Sequence, residues 1–197
     1  FIIHRIPAEE VTKETRVQIK FHTFAPLYGS QGSGIAEHAK KYYDDLFVIY
    51  TGLKSYQQRL MDGVVKNGIV QTPSGRQYYW PNARRLKNGR VTNATQVVNY
   101  PIQGFATGDI VPLAGIRAFR LFKKHNLKSK LILTVHDSIV VDCHPDELTQ
   151  VKKVLVEAMA NVGEELEQRF DYKPVLPLDV EMTVGDNWLD QEEIPLD

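Results

Sequence analysis

The sequence predicts an α+β fold. Three observations carry that expectation. Breaker-free stretches of helical length dominate the first third, two β-branched runs flank a polar trio at 136–138, and further helical stretches lie on either side of those runs. Residues 8–24 read as a helix opened around Thr12 and Thr15, with Pro26 as the first breaker. The string SQGSG at 30–34 punctuates the chain, and a second helix follows over 35–50. A third covers 53–66, where Leu60, Met61, Val64 and Val65 make an apolar stripe and Asn67-Gly68 marks the end. Short extended pieces at 69–72 and 77–80 are joined by Pro73-Ser74-Gly75. Asn88-Gly89 signals a tight hairpin between 84–87 and 90–94. Residues 105–125 read as a helix with Ile110, Leu113, Ile116, Ala118, Phe119 and Phe122 on its buried side. The run KLILTVHDSIVVD at 130–142 gives two strands, and a helix over 145–168 opens on Pro145 with an acidic first turn. A last strand over 175–184 leads to Gly185 and to Trp188, which is expected in the core.

A chain of 197 residues fits one domain or two small subdomains. Hydrophobic content of 43% and charged content of 24% argue against general disorder. No apolar run is long enough to span a membrane, and FIIHRIPAEE is too soon charged for a signal peptide. Phe1 in place of an initiating Met suggests an excised piece of a longer polypeptide. The single Cys143 excludes an internal disulfide and a cysteine-based zinc cage. Zero net charge hides an asymmetry: residues 1–100 hold 14 Lys and Arg against 7 Asp and Glu, whereas 101–197 hold 10 against 17. A basic half suits phosphates, and an acidic half holds metal ions or is solvated, so composition alone assigns no function.

Arg16, Lys20, Phe24 and Tyr28 are spaced by four. Each such step turns a helix by only ~40°, so the four make one slowly turning stripe of two cations and then two aromatics. That order matches a nucleotide, whose phosphates meet cations and whose sugar and base have apolar faces. It also matches a solvated basic turn followed by a buried aromatic pair, or a Lys20 paired with a carboxylate. At Val135-His136-Asp137-Ser138 the strands would present a carboxylate at a hairpin tip, a rigid place for a metal ligand and equally an ordinary polar turn. Magnesium takes oxygen ligands, usually one or two carboxylates plus phosphate oxygens. A metal phosphohydrolase of the HD type would need that pair on a helix, and the flanking β-branched residues argue for strands instead.

The string RVQIKFHTFAPLYGSQGSGIA resembles motif B of the family A (DNA polymerase I-type) DNA polymerases. The resemblance implies that Arg16 and Lys20 bind the triphosphate of an incoming dNTP and that Lys20 donates a proton to pyrophosphate. It implies that Phe24 stacks over the nucleotide and that Tyr28 lies beside the nascent pair and template. Pro26 departs from the pattern, and a kink is expected between Phe24 and Tyr28. VHDS resembles motif C, which makes Asp137 the catalytic metal-binding carboxylate and places His136 near the primer end; Ser138 stands where Glu is commoner. GIVQTPSGRQYYW resembles a GRxR segment of the family's nucleic-acid track, which implies that Arg76, its first arginine, contacts DNA, with Tyr78 in place of the second. NYPIQGFATGD resembles N-x-P-x-Q-G-x-x-A-D, which sets Asn99 and Gln103 against the minor groove, with Thr95 in place of an arginine. LDVEMTVGDNWLD resembles the family's ending, and His4 is read as a remnant of a D-x-H segment that touches the nucleotide.

The resemblance implies a helical fingers subdomain over 1–95. The rest, 96–197, would be part of a palm whose antiparallel hairpin carries the catalytic Asp and is flanked by helices. The implied reaction is templated nucleotidyl transfer with two Mg2+ ions, or Mn2+, in the complete enzyme, acting on primer–template DNA in the cytoplasm or nucleoid of a bacterial or phage-infected cell, or in an organelle. No motif A string is present, so an N-terminal remainder with motif A and thumb is expected in cis or as a separate chain. The chain by itself is then expected to be inactive, and the alternative is a non-catalytic nucleotide and primer–template binding subunit of a split polymerase.

Overall fold

Thr12 and Thr15 decide where the first long helix starts. The Thr12 hydroxyl accepts from the Thr15 amide at 3.2 Å while the Thr15 hydroxyl accepts from the Thr12 amide at 2.9 Å, a reciprocal cap on two otherwise orphaned donors. Helix α1 then runs Lys13–Leu27, after a separate 3-10 turn at Ala8–Glu10. The structure, a computed structural model, describes residues 7–30 and 37–196. His4 lies outside them. The chain divides into two units, one built on residues up to Thr72 with Gln77–Ile102, the other on Pro73–Arg76 with Gln103 onward.

In the first unit, α2 (Glu37–Ile49) and α3 (Thr51–Asn67) follow α1. Gly68 ends α3 with φ at +71°, a value glycine adopts without the Cβ penalty, and its amide returns to the Val64 carbonyl at 2.8 Å. Strands β1 (Ile69–Gln71) and β2 (Gln77–Tyr79) pair antiparallel with Val70 opposite Tyr78. The Asn88-Gly89 turn closes a hairpin bridged at Arg85 and Val91. Helix α4 (Ala94–Phe105) comes next, and Met61, Val64, Val70, Val91 and Val97 form the core of this unit. Tyr42, Tyr43 and Leu46 of α2 form a smaller cluster, against which Ala25 and Leu27 of α1 pack.

In the second unit a π-helical turn, Ala106–Ile110, leads into α5 (Val111–Lys124). Strands β3 (Lys130–Val135) and β4 (Ser138–Asp142) form an antiparallel hairpin with a register shift between Leu131 and Leu133. A 3-10 turn at Pro145–Glu147 precedes α6 (Leu148–Ala160) and α7 (Val162–Phe170), and a small pair joins β5 (Thr183–Val184) to β6 (Glu192–Glu193). Ala118, Leu121 and Phe122 of α5 pack on Val151, Val154, Leu155 and Ala158 of α6, with Leu131, Ile139 and Val141 of the hairpin against them. Glu147 ties this layer together, accepting from the Lys128 amide at 2.9 Å, the Ser129 amide at 2.8 Å and the Ser129 hydroxyl at 2.7 Å. Those bonds, first the one from Lys128, pull its carboxyl down to about 2. The fold is thus a mixture of helical segments and small antiparallel hairpins.

Several expectations are corrected. The helix expected over 105–125 is made of the π turn Ala106–Ile110 and α5, and an unexpected helix, α4, precedes them with Pro101 inside it. On α5 the buried side is Ala114, Ala118, Leu121 and Phe122, while Ile116 and Phe119 are exposed. The helix over 145–168 breaks at Asn161. Only Thr183–Val184 of the expected last strand pairs, and Trp188 is exposed instead of lying in the core. Among the described residues no helix is long and apolar enough to cross a membrane.

Candidate nucleotide and nucleic-acid site

The exposed side of α1 carries Arg16, Val17, Lys20 and Phe24. Another side holds the helix in place, where the Thr23 hydroxyl shares a 2.8 Å hydrogen bond with the Tyr42 hydroxyl and reaches the Ile19 carbonyl at 3.1 Å. Lys20 Nζ lies 5.7 Å from the centroid of the Phe24 ring, within cation–π range. Phe24 and Tyr28 stack with centroids 5.8 Å apart and planes 11° from parallel. Among the described residues no carboxylate forms an ion pair with Arg16 or Lys20. The stripe is therefore a surface of two cations leading into two stacked rings.

Pro26 does not keep those rings apart, since Phe24 and Tyr28 stack across it. Pro26 sits in the last turn of α1, where the helix ends after Leu27, and Tyr28 caps it with its amide directed at the carbonyls of Phe24 and Pro26. Two contacts fix that terminus. Gln57, buried on α3, donates from Nε2 to the Pro26 carbonyl at 2.7 Å and the Leu27 carbonyl at 3.2 Å. Gly29, with φ at +84°, lies so close to α4 that a Cβ there would stand 3.0 Å from the Val98 Cβ. Gln57 escaped the sequence reading, although it shares a helical face with Met61 and Val64 and so marked a polar group aimed at the interior.

At the tip of the β3–β4 hairpin only His136 and Asp137 separate the strands, with Val135 opposite Ser138. His136 takes φ of +55°, uncommon for a residue with a Cβ, and both side chains are exposed. The Ser138 hydroxyl donates to the Val135 carbonyl at 2.8 Å and closes the turn, a structural task. Among the described residues no group of three His, Cys, Asp or Glu is gathered as a metal cage.

Arg76, expected on the nucleic-acid track, reaches Asp109 Oδ1 with Nη2 at 2.6 Å and Nε at 3.1 Å, and the Gly108 carbonyl with Nη2 at 3.1 Å. Ser74 donates to Asp109 Oδ2 at 2.6 Å, so a largely buried carboxylate anchors the Pro73–Arg76 loop. Asp109 is one residue farther from Gln103 than the Asp of the N-x-P-x-Q-G-x-x-A-D pattern. The π turn takes up that residue: the Val111 amide returns five residues to the Ala106 carbonyl. Asn99 and Gln103 lie four apart on α4. Gln103 is exposed, and Asn99 Oδ1 is buried without a hydrogen-bond partner among the described residues.

Helical segments with small antiparallel hairpins are consistent with the fingers and palm of a nucleic-acid polymerase. The chain belongs to DNA polymerase family A, whose family model matches residues 2–190. It is 33% identical over 190 residues to the DNA polymerase I of Lactococcus lactis subsp. lactis, covering 92% of this chain and 20% of that protein. It is 28% identical to the DNA polymerase I of Chloroflexus aurantiacus, covering 90% of this chain and 19% of that protein. The chain thus spans about one fifth of the length of these relatives. A solved structure, the POL domain of Pol1 from M. smegmatis in complex with DNA primer-template and dNTP, matches with a TM-score of 0.75. It is 27% identical, over 90% of this chain and 31% of that one.

Proposed function

We propose that this chain supplies the fingers, residues 1–95, and part of the palm, residues 96–197, of a template-directed DNA polymerase that transfers a nucleotide from a dNTP to a primer 3′-hydroxyl. The observation that carries the reading is the α1 surface, where Lys20 approaches Phe24, Phe24 stacks on Tyr28, and neither Arg16 nor Lys20 is paired with a described carboxylate. Arg16 offers a planar fork to phosphate oxygens, and Lys20 a compact charge that also gives a proton to departing pyrophosphate. Phe24 packs on the sugar and base of the dNTP, and Tyr28 ends the surface beside the nascent pair and the template. The M. smegmatis domain, solved with primer-template and dNTP, supports these partners.

On the other unit Asp137 would hold Mg2+, with Mn2+ a substitute. One exposed carboxylate fits an ion that is usually held by one or two carboxylates plus substrate phosphates. Bound there, the ion supplies charge neutralisation at the phosphate oxygens. His136 lies by the primer end. Asn99 and Gln103 meet the acceptors that every base pair presents in the minor groove, and so check geometry without reading sequence. Arg76, paired with Asp109, braces the Pro73–Arg76 loop that belongs to the nucleic-acid track. Positioning and electrostatics then supply most of the acceleration.

A second carboxylate would come from a motif A segment, in cis or on a separate chain. A second reading, a binding subunit that grips dNTP and primer–template without catalysis, is favoured by the lone carboxylate at the hairpin tip. Primer extension with magnesium tests both. The chain alone is expected to give no extension, and the full polypeptide that carries it to extend. Lys20→Ala should slow that extension roughly 100-fold or more, the usual worth of a general acid. Extension at the wild-type rate by Lys20→Ala would defeat the catalytic assignment. A full polypeptide that contains motif A and binds dNTP yet stays inert would favour the binding subunit.

A further inference from the structure

We propose that Tyr100, backed by Tyr78 and Trp80, is a surface on which this protein packs a sugar or base edge of its nucleic acid, so that part of its grip is aromatic and not ionic. The inference rests on the reading that the chain binds primer–template. Tyr100 meets Tyr78 edge-on at 5.8 Å between centroids and Trp80 at 5.8 Å, while Tyr78 and Trp80 lie 6.2 Å apart. Trp80 is anchored on the Met61–Val64–Val97 core, and Tyr78 is half-buried, so the deep side of the trio is fixed. Tyr100 is 44% exposed at the outer end. The ring is thus held at its inner side by Tyr78 and Trp80 and remains partly open to solvent.

Its neighbours say what would cover it. On α4 the exposed Gln96 lies one turn before Tyr100 at helical spacing, so an amide shares the ring's side of the helix. The hairpin that follows Trp80 in the same unit carries Arg84, Lys87 and Arg90, all exposed and none ion-paired among the described residues. An amide, unpaired cations and a supported ring suit a polyanion with stackable sugars and bases. Position 78 is also where the GRxR segment would have placed an arginine, so a ring stands in a cation's place.

The test is the affinity of the full polypeptide for fluorescent primer–template across a range of salt concentrations. Tyr100→Ala is expected to weaken binding on the order of ten-fold at every salt concentration, because stacking on a ring is worth that much and releases no counterions. Tyr100→Phe should bind as wild type. Tyr100→Leu, which keeps apolar contact with Tyr78 and Trp80 but offers no ring, should match Tyr100→Ala and decides the matter if the alanine variant is poorly folded. Tyr100→Arg should regain affinity at low salt with a salt slope steeper by about one. Wild-type affinity for Tyr100→Leu, or a loss that appears only as a changed slope, would overturn the proposal alone. A wild-type protein that binds no primer–template would overturn the nucleic-acid reading along with it.

Discussion

Replacing Gly29 by alanine tests how the end of α1 is held, and its cost follows from two features of the glycine's geometry. The backbone has φ of +84°, where an L-residue costs ~1–2 kcal/mol relative to its ordinary basins. The new methyl would also stand 3.0 Å from Val98 Cβ and 3.1 Å from Val98 Cγ2, and forcing a methyl into a packed site costs ~1–3 kcal/mol. Val98 is fully buried in α4, so the neighbour has little room to yield. Together these give a destabilisation of ~2–5 kcal/mol for Gly29→Ala. Val98→Ala by itself should cost ~2 kcal/mol through lost burial. In the double variant the contacts to both Val98 methyls vanish, while the Cβ contact and the strained φ remain. The pair should therefore be more stable than the sum of the singles by ~1 kcal/mol. Urea unfolding read through Trp80 fluorescence, in a Trp188→Phe background, reports this unit separately. Additivity within ~0.3 kcal/mol, or a cost below ~1 kcal/mol for Gly29→Ala, would refute the close approach of Gly29 to Val98.

Other outcomes follow from the same structure. Gln57→Leu removes both side-chain bonds to the α1 terminus and leaves the Pro26 and Leu27 carbonyls without them, a loss of ~1–3 kcal/mol in urea unfolding and a weaker hold on dNTP. The folded Glu147 carboxyl titrates at about 2, against 4.5 for the unfolded group, so its contribution is fully present above 4.5 and is lost as pH falls from there toward 2. The gap in urea midpoint between wild type and Glu147→Gln should accordingly narrow over that acid range; a constant gap would show that the charge is not what ties Glu147 to Lys128 and Ser129. Asp109→Asn should loosen the Pro73–Arg76 loop, seen as faster amide exchange in that loop with the β3–β4 hairpin unchanged.

Much of this fold was legible in local chemistry. Thr12 and Thr15, Asn67-Gly68, the joined pair at 69–72 and 77–80, and the hairpin around His136-Asp137 all form where turn and cap residues direct them. The misses have identifiable causes. The reading started a helix only at residue 105, whereas α4 already runs Ala94–Phe105 with Pro101 inside it, where a packed face outweighs one lost backbone bond. Helix α5 carries apolar residues on more than one side, so spacing could not tell whether Ile116 and Phe119 or Ala114 and Leu121 faced inward. Residues 175–182 have the composition of a strand, yet a strand needs a partner, and composition does not supply one. The cation-and-ring stripe on α1 was readable from its four-residue spacing, whereas the Gln57 and Gly29 contacts that hold its end depend on chain segments about thirty and seventy residues away.

The most direct measurement is a crystal structure of the full polypeptide with primer–template, dNTP and magnesium. The account predicts the triphosphate on Arg16 and Lys20, the nucleotide against Phe24, and a magnesium ion at about 2.0–2.1 Å from an Asp137 oxygen. A triphosphate bound elsewhere, with Arg16 and Lys20 in solvent or Asp137 remote from the ion, would contradict it.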